Sequence, residues 1–420
     1  MSNQYNKTER IISGALSAFP GLKQAVKRTY QRLNYILYRK KQNFHSDFNL
    51  RHFDDAGRES FFGYYDHSPL NRSGKYLLFH SAMLSSHLKP DPAIPVDIVL
   101  YDFASGKSIQ KFSSHAWNWQ QGARTQWLDD KSFIFNDFDS SSDKYFSRIV
   151  HTEKPGSRRI DFPVYDCHGS FALGLNFDRL HLLRPDYGYA NRKGNISPEE
   201  LDDTKDGIFK IDLEKNNSRL LISLDELKRI EAPDSFQDAH HKVNHIMLSP
   251  GGKRFMFLHR WLKNGRRFDR LYVSDIDQIN LKLLARNIVS HCYWRSENEI
   301  IGFFEGPGGK LAYHKADLPA GDISVLDEQL DQFGDGHPNI NGNKMLTDTY
   351  PNKARMKELM LYDLEKKSIQ KLGEFFESLK FIGETRCDLH PRWDCAGNYA
   401  FFDSVHTGKR KLYAIKYSNE

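Results

Sequence analysis

The sequence predicts an all-β protein, a seven-bladed β-propeller that follows an N-terminal basic amphipathic helical extension. From residue 60 onward, short β-type segments alternate with Gly, Asn, Asp and Ser turns. A pattern of a polar or aromatic strand, a turn and a hydrophobic strand recurs seven times, with copies that begin at Tyr64, Thr125, His168, Val243, Ser290, Gly336 and Leu389. A four-stranded blade cannot bury both of its faces alone, whereas blades stacked around an axis can.

The two ends of the repeat region are expected to meet in the last blade. Its final segment, KLYAIKY at 411–417, leaves this blade without an outer strand, and the segment 44–55 just before the first copy can supply one. The chain therefore divides into a helical basic extension at 1–43 and a propeller at 44–420.

Length and composition indicate a folded globular protein. The chain has 420 residues, of which 39% are hydrophobic and 13% aromatic. Its four cysteines lack the spacing of a disulfide framework or a zinc knuckle, so we expect them to be reduced. Neither a signal peptide nor a run of 18 apolar residues occurs, and the sequence therefore predicts a cytoplasmic protein without a membrane span.

The positive charge of the chain is concentrated in the extension. Residues 1–43 contain nine basic residues and one acidic residue, a balance of +8, which leaves 51 basic and 53 acidic residues, or −2, for 44–420. Apolar side chains recur there at helical spacing, at Leu22, Val26, Tyr30, Leu33 and Leu37. Such a helix can lie on an anionic membrane surface through residues 8–41, dock on a partner or pack on its own domain. No nucleic-acid partner is expected, because the remaining chain shows no basic patch interleaved with aromatics.

Histidines recur near the start of the first strand in six of the seven copies. In a propeller this strand lines the central channel, and we expect its first residues to lie at one mouth. These histidines are His67, His168, His245, His291, His337 and His390. Neutral imidazoles are the commonest transition-metal ligands, and Asp388 lies two residues before His390 on the same strand face. The sequence therefore predicts a metal site in the channel, with one coordination position open to a substrate oxygen.

Four segments in the second half of the chain carry a resemblance to a known family. They are NHIMLSP (244–250), SHCYW (290–294), GHPNINGNKMLTD (336–348) and CDLHPRWDCAGNYAFFDSVHTGKRKLYAI (387–415), in this order and at blade spacing. Over residues 240–415 the chain resembles the oligogalacturonate lyase family of seven-bladed propellers. The resemblance implies a divalent metal, Mn²⁺ by preference, held by histidines and a glutamine, and cleavage of short uronate chains by β-elimination.

The resemblance also implies roles for individual residues. By the match of SHCYW, His291 is a metal ligand, and by the match of NHIMLSP, His245 is the general base. The family's final-blade pattern of a glutamine and two histidines reads Thr385, Asp388 and His390 here. Threonine is a poor metal ligand, so the sequence departs from the family at Thr385, whereas Asp388 can still coordinate. The metal ligands expected from this match are His291, Asp388 and His390.

Further residues are expected to act on the substrate. Arg260 joins His245 in the predicted catalytic group, because a guanidinium can bind a carboxylate through two hydrogen bonds. The predicted substrate-binding residues are His337, Arg392, Tyr65 and Trp294. For His337 the alternative is a fourth metal ligand. The insertion at 184–207 is expected to fold over the channel as a lid.

Two functions fit these expectations. The first is a lyase that acts on a uronic-acid-containing oligo- or polysaccharide. The second is a non-catalytic glycan-binding or assembly propeller in bacterial surface-polysaccharide biosynthesis, held at the inner face of the membrane by its basic helix. A glycosyltransferase is not supported, because the sequence contains neither a nucleotide-sugar signature nor a glycine-rich phosphate loop.

Overall fold

Seven antiparallel sheets, arranged as the blades of a propeller, make up most of the protein. The computed structural model describes residues 20–192 and 201–417. Within them, six sheets have four strands and one sheet has five. The all-β, seven-bladed propeller that the sequence predicts is therefore confirmed.

The first four blades follow one another along the chain, and each runs from its inner strand outward. Blade 1 comprises β3 (Glu59–Phe61), β4 (Tyr76–Ala82), β5 (Val96–Asp102) and β6 (Lys107–Ser114). Blade 2 comprises β7 (Gln126–Trp127), β8 (Ser132–Asp139), β9 (Lys144–His151) and β10 (Ser157–Ile160). Blade 3 comprises β11 (Asp166–His168), β12 (Phe171–Leu175), β13 (Gly207–Asp212) and β14 (Asn217–Ser223). Blade 4 comprises β15 (His240–Leu248), β16 (Arg254–Lys263), β17 (Arg266–Asp275) and β18 (Lys282–Asn287).

The last three blades complete the ring, and two of them take in a strand from near the N-terminus. Blade 5 comprises β19 (Val289–Ser296), β20 (Glu299–Glu305), β21 (Leu311–Asp317) and β22 (Asp322–Val325). Blade 6 comprises β23 (Asn339–Asn341), β24 (Lys344–Asp348), β25 (Met356–Asp363), β26 (Ser368–Phe376) and β1 (Phe44–His45). Blade 7 comprises β27 (Arg392–Trp393), β28 (Tyr399–Ser404), β29 (Lys411–Lys416) and β2 (Leu50–Phe53).

Strand β2 closes the ring in the manner that the sequence predicts. It pairs antiparallel with β29, with Leu50 opposite Ile415 and Phe53 opposite Leu412. The ladder therefore joins the start of the propeller to its end. Because closure leaves no gap between the first and last blades, the inner strands are held at fixed positions around the channel.

Blade 1 departs from the boundaries that the sequence pattern indicates. The pattern places the start of the first copy at Tyr64, whereas the inner strand β3 ends at Phe61. Gly63 follows with a φ of +114°, which turns the chain out of the ladder, and pairing resumes only at the bridge between Leu70 and Leu77. Tyr64 and its neighbours therefore form a loop that enters the channel instead of a strand that lines it.

Helices are few among the described residues. They are α1 (Pro20–Tyr38), α2 (Phe177–Leu183), α3 (Leu224–Arg229) and four short 3₁₀ turns at Asp234–Phe236, Pro307–Gly309, Glu328–Gln332 and Gly383–Thr385. In the part of the chain that the structure describes, no helix is long and apolar enough to cross a membrane.

Helix α1 contacts blade 6 through an aromatic side chain in its last turn. Tyr35 stacks on Phe376 with ring centroids 5.5 Å apart. Three apolar side chains of the same helix are exposed, with exposed fractions of 55% for Leu33, 66% for Ile36 and 76% for Leu37. The first part of the predicted extension, at 1–19, lies outside the described residues.

Candidate functional site

Four of the predicted histidines converge in the channel. The ring centroids of His245 and His291 lie 5.7 Å apart, those of His291 and His337 lie 4.0 Å apart, and those of His337 and His390 lie 4.4 Å apart. All four side chains are buried. Each belongs to the inner strand of its blade or to the residues just before it, so the ring of blades brings together residues from four repeats.

The other two histidines do not join this cluster. His168 is the last residue of its inner strand, so it lies at the end of the strand opposite to the one that carries the cluster. There it approaches Phe171 across the β11–β12 hairpin. His67 lies in the loop after β3, where its Nε2 is 3.5 Å from Asp166 and accepts a hydrogen bond from Arg124 at 3.2 Å.

Tyr64 and Tyr65 fill the centre of the cluster. The ring of Tyr64 lies 5.3 Å from His245 and 5.0 Å from His390 between centroids. The ring of Tyr65 lies 5.8 Å from His291 and 5.4 Å from His337. The preceding Gly63 is required for this approach, because a Cβ atom at its position would lie 2.8 Å from the backbone carbon of Gln121.

His337 and His390 are held in one tautomer by their Nδ1 atoms. His337 Nδ1 donates to Asp348 at 2.8 Å, and His390 Nδ1 donates to the carbonyl of Gly63 at 2.8 Å. The Nε2 lone pairs of both rings are then free, and neither Nε2 has a hydrogen-bond partner among the described residues. Asp348 also accepts the backbone N–H of His390 at 3.2 Å, so one carboxylate fixes both residues.

Asp388 completes a group that can hold a metal ion. One ligand atom from each of His337, Asp388 and His390 lies within 4.8 Å of the others. Two imidazole nitrogens without a partner and a carboxylate are the donor set that divalent transition metals accept, and carboxylates behind ligating histidines are typical of such sites. The residues therefore fit a divalent cation. This set contains His337, which the sequence left between two roles, in place of His291.

Burial and neighbouring charges shift the pKa values of Asp388, His337 and His390. Burial disfavours a charged Asp388, but Arg386, whose Nε donates to its Oδ2 at 2.6 Å, outweighs burial and holds the pKa of the carboxyl far below its usual range. Burial also opposes protonation of His337, yet the charge of Asp348 raises the pKa of this histidine above its ordinary value. Burial lowers the pKa of His390 well below its ordinary value, with His337 as the next cause.

His291 has a partner of its own beside the cluster. Its Nδ1 lies 3.3 Å from Oδ1 of Asp335, and Ser290 donates to the other oxygen of that carboxylate at 2.6 Å. Burial, followed by the proximity of His337, lowers the pKa of His291 to about 4. The ring is therefore neutral at physiological pH, which is the form that binds a metal.

His245 occupies the bulge of strand β15. The pairing of β15 with β16 shifts between Asn244 and Met247, and His245 has a φ of +51° there, which turns its ring into the channel. Its Nδ1 is hydrogen-bonded to the hydroxyl of Tyr64. Burial, and then the charge of Arg260, lowers the pKa of His245 well below its ordinary value, so the imidazole is neutral and able to accept a proton.

The two predicted arginines have partners inside the propeller. Arg260 donates to Asp269 at 2.7 Å and to the carbonyl of Val289 at 2.9 Å, close enough to His245 to influence its charge. Arg392 is fully buried, where it donates to the carbonyl of Tyr64 at 3.1 Å and pairs with Asp403 at 3.0 Å. Arg392 therefore supports the loop that carries Tyr64, and its role in substrate binding stays a prediction that these contacts do not favour.

The predicted aromatic contacts differ in their surroundings. Tyr65 faces the histidines, as described, while its hydroxyl donates to the carbonyl of Cys292 at 3.0 Å. Trp294 is buried in the blade core and donates to the carbonyl of Met247 at 3.0 Å. The ring of Trp294 therefore packs between blades 4 and 5, and a sugar contact at this residue stays a prediction.

A short segment of the predicted lid covers the cluster. Within this covering segment, residues 184–187, the ring of Tyr187 lies 5.6 Å from that of His245 and 5.8 Å from that of Tyr64. The next residues are anchored, because Tyr189 stacks on Phe177 with centroids 4.4 Å apart. The rest of the insertion includes 193–200, which lie outside the described residues.

Three contributors to the site were not singled out by the sequence analysis as site residues. Asp348 lies in the segment GHPNINGNKMLTD, but a strand-ending aspartate recurs in several blades and gave no signal of its own. Arg386 follows Thr385, which stands where the resemblance expects a glutamine. The hydroxyl of Thr385 donates to the carbonyl of Ile382 at 3.1 Å. Tyr64 marks only the start of the first copy in the sequence, and its bond to His245 depends on chain segments 181 residues apart.

Comparison with known proteins shows the fold. No protein-family model and no curated protein matches the chain. Among solved structures, the chain is similar to an oligogalacturonate lyase from Vibrio parahaemolyticus, with 14% identity and a TM-score of 0.57 over 90% of this chain and 99% of that one. It is also similar to the β-propeller domain of the trilobed protease from Pyrococcus furiosus, with 10% identity and a TM-score of 0.48 over 90% and 96% of the two chains. A third structure, an oligogalacturonate lyase in complex with manganese, has 12% identity and a TM-score of 0.39 over 90% and 98%. At such identities, the first of these likenesses shows that the chain shares a propeller fold with that lyase, and the fold alone.

Proposed function

We propose that the protein is a metal-dependent lyase that cleaves a uronic-acid-containing glycan by β-elimination. The observation that carries the proposal is the convergence of four imidazoles and one carboxylate in the channel. Two of the imidazole Nε2 atoms have no hydrogen-bond partner among the described residues. β-Elimination needs two things at one place, a base and a positive charge near the substrate carboxylate. The cluster contains a candidate base, His245, and three residues that would hold such a charge as a bound cation.

The cation would be held by His337, Asp388 and His390, which present one ligand atom each. We retain His291 as a further ligand, because its ring centroid lies 4.0 Å from that of His337. A mixed nitrogen and oxygen donor set suits Mn²⁺, which we propose as the metal. Such a cation, when bound, stabilises the negative charge that develops on the uronate carboxylate as the proton leaves.

His245 is the proposed base. We assign the hydrogen of His245 to Nδ1, where the hydroxyl of Tyr64 accepts it, and Nε2, 3.3 Å from the same hydroxyl, is the atom that takes the proton from C5 of the uronate. Loss of this proton forms the double bond between C4 and C5 as the bond from C4 to the glycosidic oxygen breaks, and that oxygen leaves with the released chain and takes up a proton. Burial, and then the charge of Arg260, lowers the pKa of His245 and keeps the imidazole neutral before the reaction, and burial of the cluster also excludes competing water.

The second function, a glycan-binding propeller without catalysis, is favoured by one observation. Arg386 already neutralises Asp388 through a bond of 2.6 Å, as it would in a site that has lost its metal. The two functions differ in whether a bound uronate chain is cleaved. They are therefore separated by measuring binding and product formation on the same sample.

The test combines metal analysis with the ultraviolet absorbance of the unsaturated uronate product. Purified protein is stripped with a chelator, reloaded with Mn²⁺ and incubated with a panel of uronate oligosaccharides. We expect bound metal and product for the wild type, loss of both for His390→Ala, and no change for His87→Ala, which lies on the exposed surface. Binding of the glycans without product would favour the second function, and absence of metal, binding and product would exclude both.

We further propose that helix α1 attaches the protein to the anionic inner face of a bacterial membrane. Leu33, Ile36 and Leu37 form an exposed apolar surface on a helix that packs on the propeller through Tyr35. Basic residues flank this surface, among them Arg32, Arg39 and Lys41. Exposed apolar side chains framed by cations match the interface of an anionic bilayer.

A further inference from the structure

Arg386 connects the proposed cation site to the covering segment. Its Nε donates to Oδ2 of Asp388 at 2.6 Å, its Nη1 pairs with Asp186, and its Nη2 donates to the hydroxyl of Tyr187 at 3.1 Å. The backbone of Arg386 is fixed separately, since its carbonyl accepts hydrogen bonds from Arg410 and Gln120 at 2.8 and 2.7 Å. One side chain thus spans from a candidate metal ligand to the residues above the histidines.

The oxygen that Arg386 holds is the one that faces His390. Oδ2 of Asp388 lies 3.9 Å from Nε2 of His390, and the same Oδ2 accepts the bond from Arg386. A cation held by His390 and Asp388 would therefore lie close to the oxygen to which the guanidinium is bound. Two positive charges at one oxygen repel each other, and in a buried site this repulsion is weakly screened.

Release of Arg386 from Asp388 would change what holds the covering segment. Besides Arg386, Asp186 is paired only with Arg184 among the described ion pairs, at 2.8 Å and within the segment itself. Tyr187 has its described hydroxyl bond with Arg386 and lies against His245. Movement of the guanidinium therefore breaks the two side-chain bonds that join this segment to Arg386 among the described residues.

We infer that Arg386 is a positioning residue that occupies the place of the cation on Asp388 in the metal-free protein and holds residues 184–187 over His245 until a divalent cation displaces it. The inference rests on the proposed cation site at His337, Asp388 and His390. Cation binding and opening of the channel are then thermodynamically coupled, so a bound cation favours the open segment and an open segment raises the affinity for the cation. It also assigns the segment a role in admitting an anionic substrate only to the metal-loaded protein.

The first measurement is Mn²⁺ affinity, by calorimetry on the full chain. A neighbouring Arg lowers the affinity of an Asp for a proton by about tenfold or more. We expect Arg386 to lower the affinity of Asp388 for a metal cation in the same way. Arg386→Met should therefore bind Mn²⁺ at least about tenfold more tightly than the wild type, and Arg386→Lys, which keeps the charge, should stay near it. Arg184→Met is the matched control, since Arg184 pairs with Asp186 but not with Asp388, and should leave the affinity unchanged.

The second measurement is backbone amide exchange in the covering segment. The amide of Tyr187 is bonded to the carbonyl of Arg184 at 3.0 Å and reports on this turn. We expect Mn²⁺ to speed its exchange in the wild type, and Arg386→Met to exchange fast with and without Mn²⁺. Asp186→Asn should also exchange fast and, because opening and cation binding are linked, should bind Mn²⁺ more tightly than the wild type.

The outcomes distinguish this inference from the proposed function. Equal or weaker Mn²⁺ binding by Arg386→Met, or wild-type exchange that Mn²⁺ leaves unchanged, overturns the inference while the lyase stands. Cation-dependent opening without product supports the inference and counts against the lyase. If neither the wild type nor Arg386→Met binds Mn²⁺, the cation site and the inference fail together. Circular dichroism of each variant confirms that the comparison is between folded proteins.

Discussion

Asp348 accepts a hydrogen bond from Nδ1 of His337 across 2.8 Å. The same carboxylate accepts the backbone N–H of His390. Asp348 is the last residue of a blade 6 strand, so one strand residue holds two histidines from neighbouring blades in position. Carboxylates behind histidine ligands fix the ring and its tautomer. Asp348 is therefore a positioning residue for the proposed cation site.

Replacement of this carboxylate should weaken metal binding. We expect Asp348→Asn to lower Mn²⁺ affinity by about 10- to 100-fold, because the amide no longer fixes the Nδ1–H tautomer of His337. Calorimetric titration measures the effect. Asp363→Asn, at the far end of the same sheet, is the control and should bind as the wild type does. Equal affinities for the two variants would show that Asp348 only supports the strand.

The proposed base can be separated from the metal. His245→Gln should reduce product formation by about 100- to 10,000-fold, because no other side chain takes the C5 proton, while Mn²⁺ affinity stays near that of the wild type. The unsaturated product and the bound metal are measured on the same preparation. His168→Gln changes a histidine at the other end of an inner strand and should leave both quantities unchanged. A His245→Gln protein with full activity would remove His245 from the mechanism.

Stability should fall in acid because of His80, a buried histidine that is not among the proposed cation ligands. His80 accepts the backbone N–H of Ala123 at 3.0 Å, and burial lowers the pKa of His80 from 6.5 to about 4. The unfolded chain therefore takes up a proton first as the pH falls, so the stabilisation is complete above pH 6.5 and is lost progressively towards pH 4. Over this window we expect a loss of about 3 kcal/mol from this group.

Urea unfolding at a series of pH values measures this effect. His80→Gln keeps an acceptor for the Ala123 amide but cannot titrate, so its free energy of unfolding should vary less between pH 6.5 and 4 than that of the wild type. Identical pH dependence in the two proteins would mean that other groups, and not His80, control acid unfolding.

Membrane attachment should depend on the exposed side of α1. The combined change Leu33→Ser, Ile36→Ser and Leu37→Ser should reduce co-sedimentation with anionic vesicles at least about tenfold, because each apolar side chain contributes to burial in the interface. A matched control changes three exposed apolar residues elsewhere, Met83, Leu88 and Ile109, to Ser. If both triple variants still bind vesicles, α1 is not the anchor; glycan cleavage should be unaffected in either case.

The arrangement of the inner strands explains why the sequence located so much of the cluster. Each blade begins with a similar local pattern, so aligning the copies placed His245, His291, His337 and His390 at equivalent positions before any contact was known. The alignment placed His168 at the start of its inner strand, whereas it is the last residue of β11, which is only three residues long. Short strands leave little room for an error in register.

The repeat follows from the sequence alone, because β-type periodicity and turn residues are local properties, and seven copies of them specify a propeller in which four of the six recurring histidines meet near the axis. Which other side chains join them depends on tertiary packing. The loop of Tyr64 enters the channel because Gly63 adopts a φ of +114°, and Arg386 reaches both Asp388 and Asp186 across segments 200 residues apart. Such contacts depend on how distant segments pack around the axis, and no local pattern of residues carries that information.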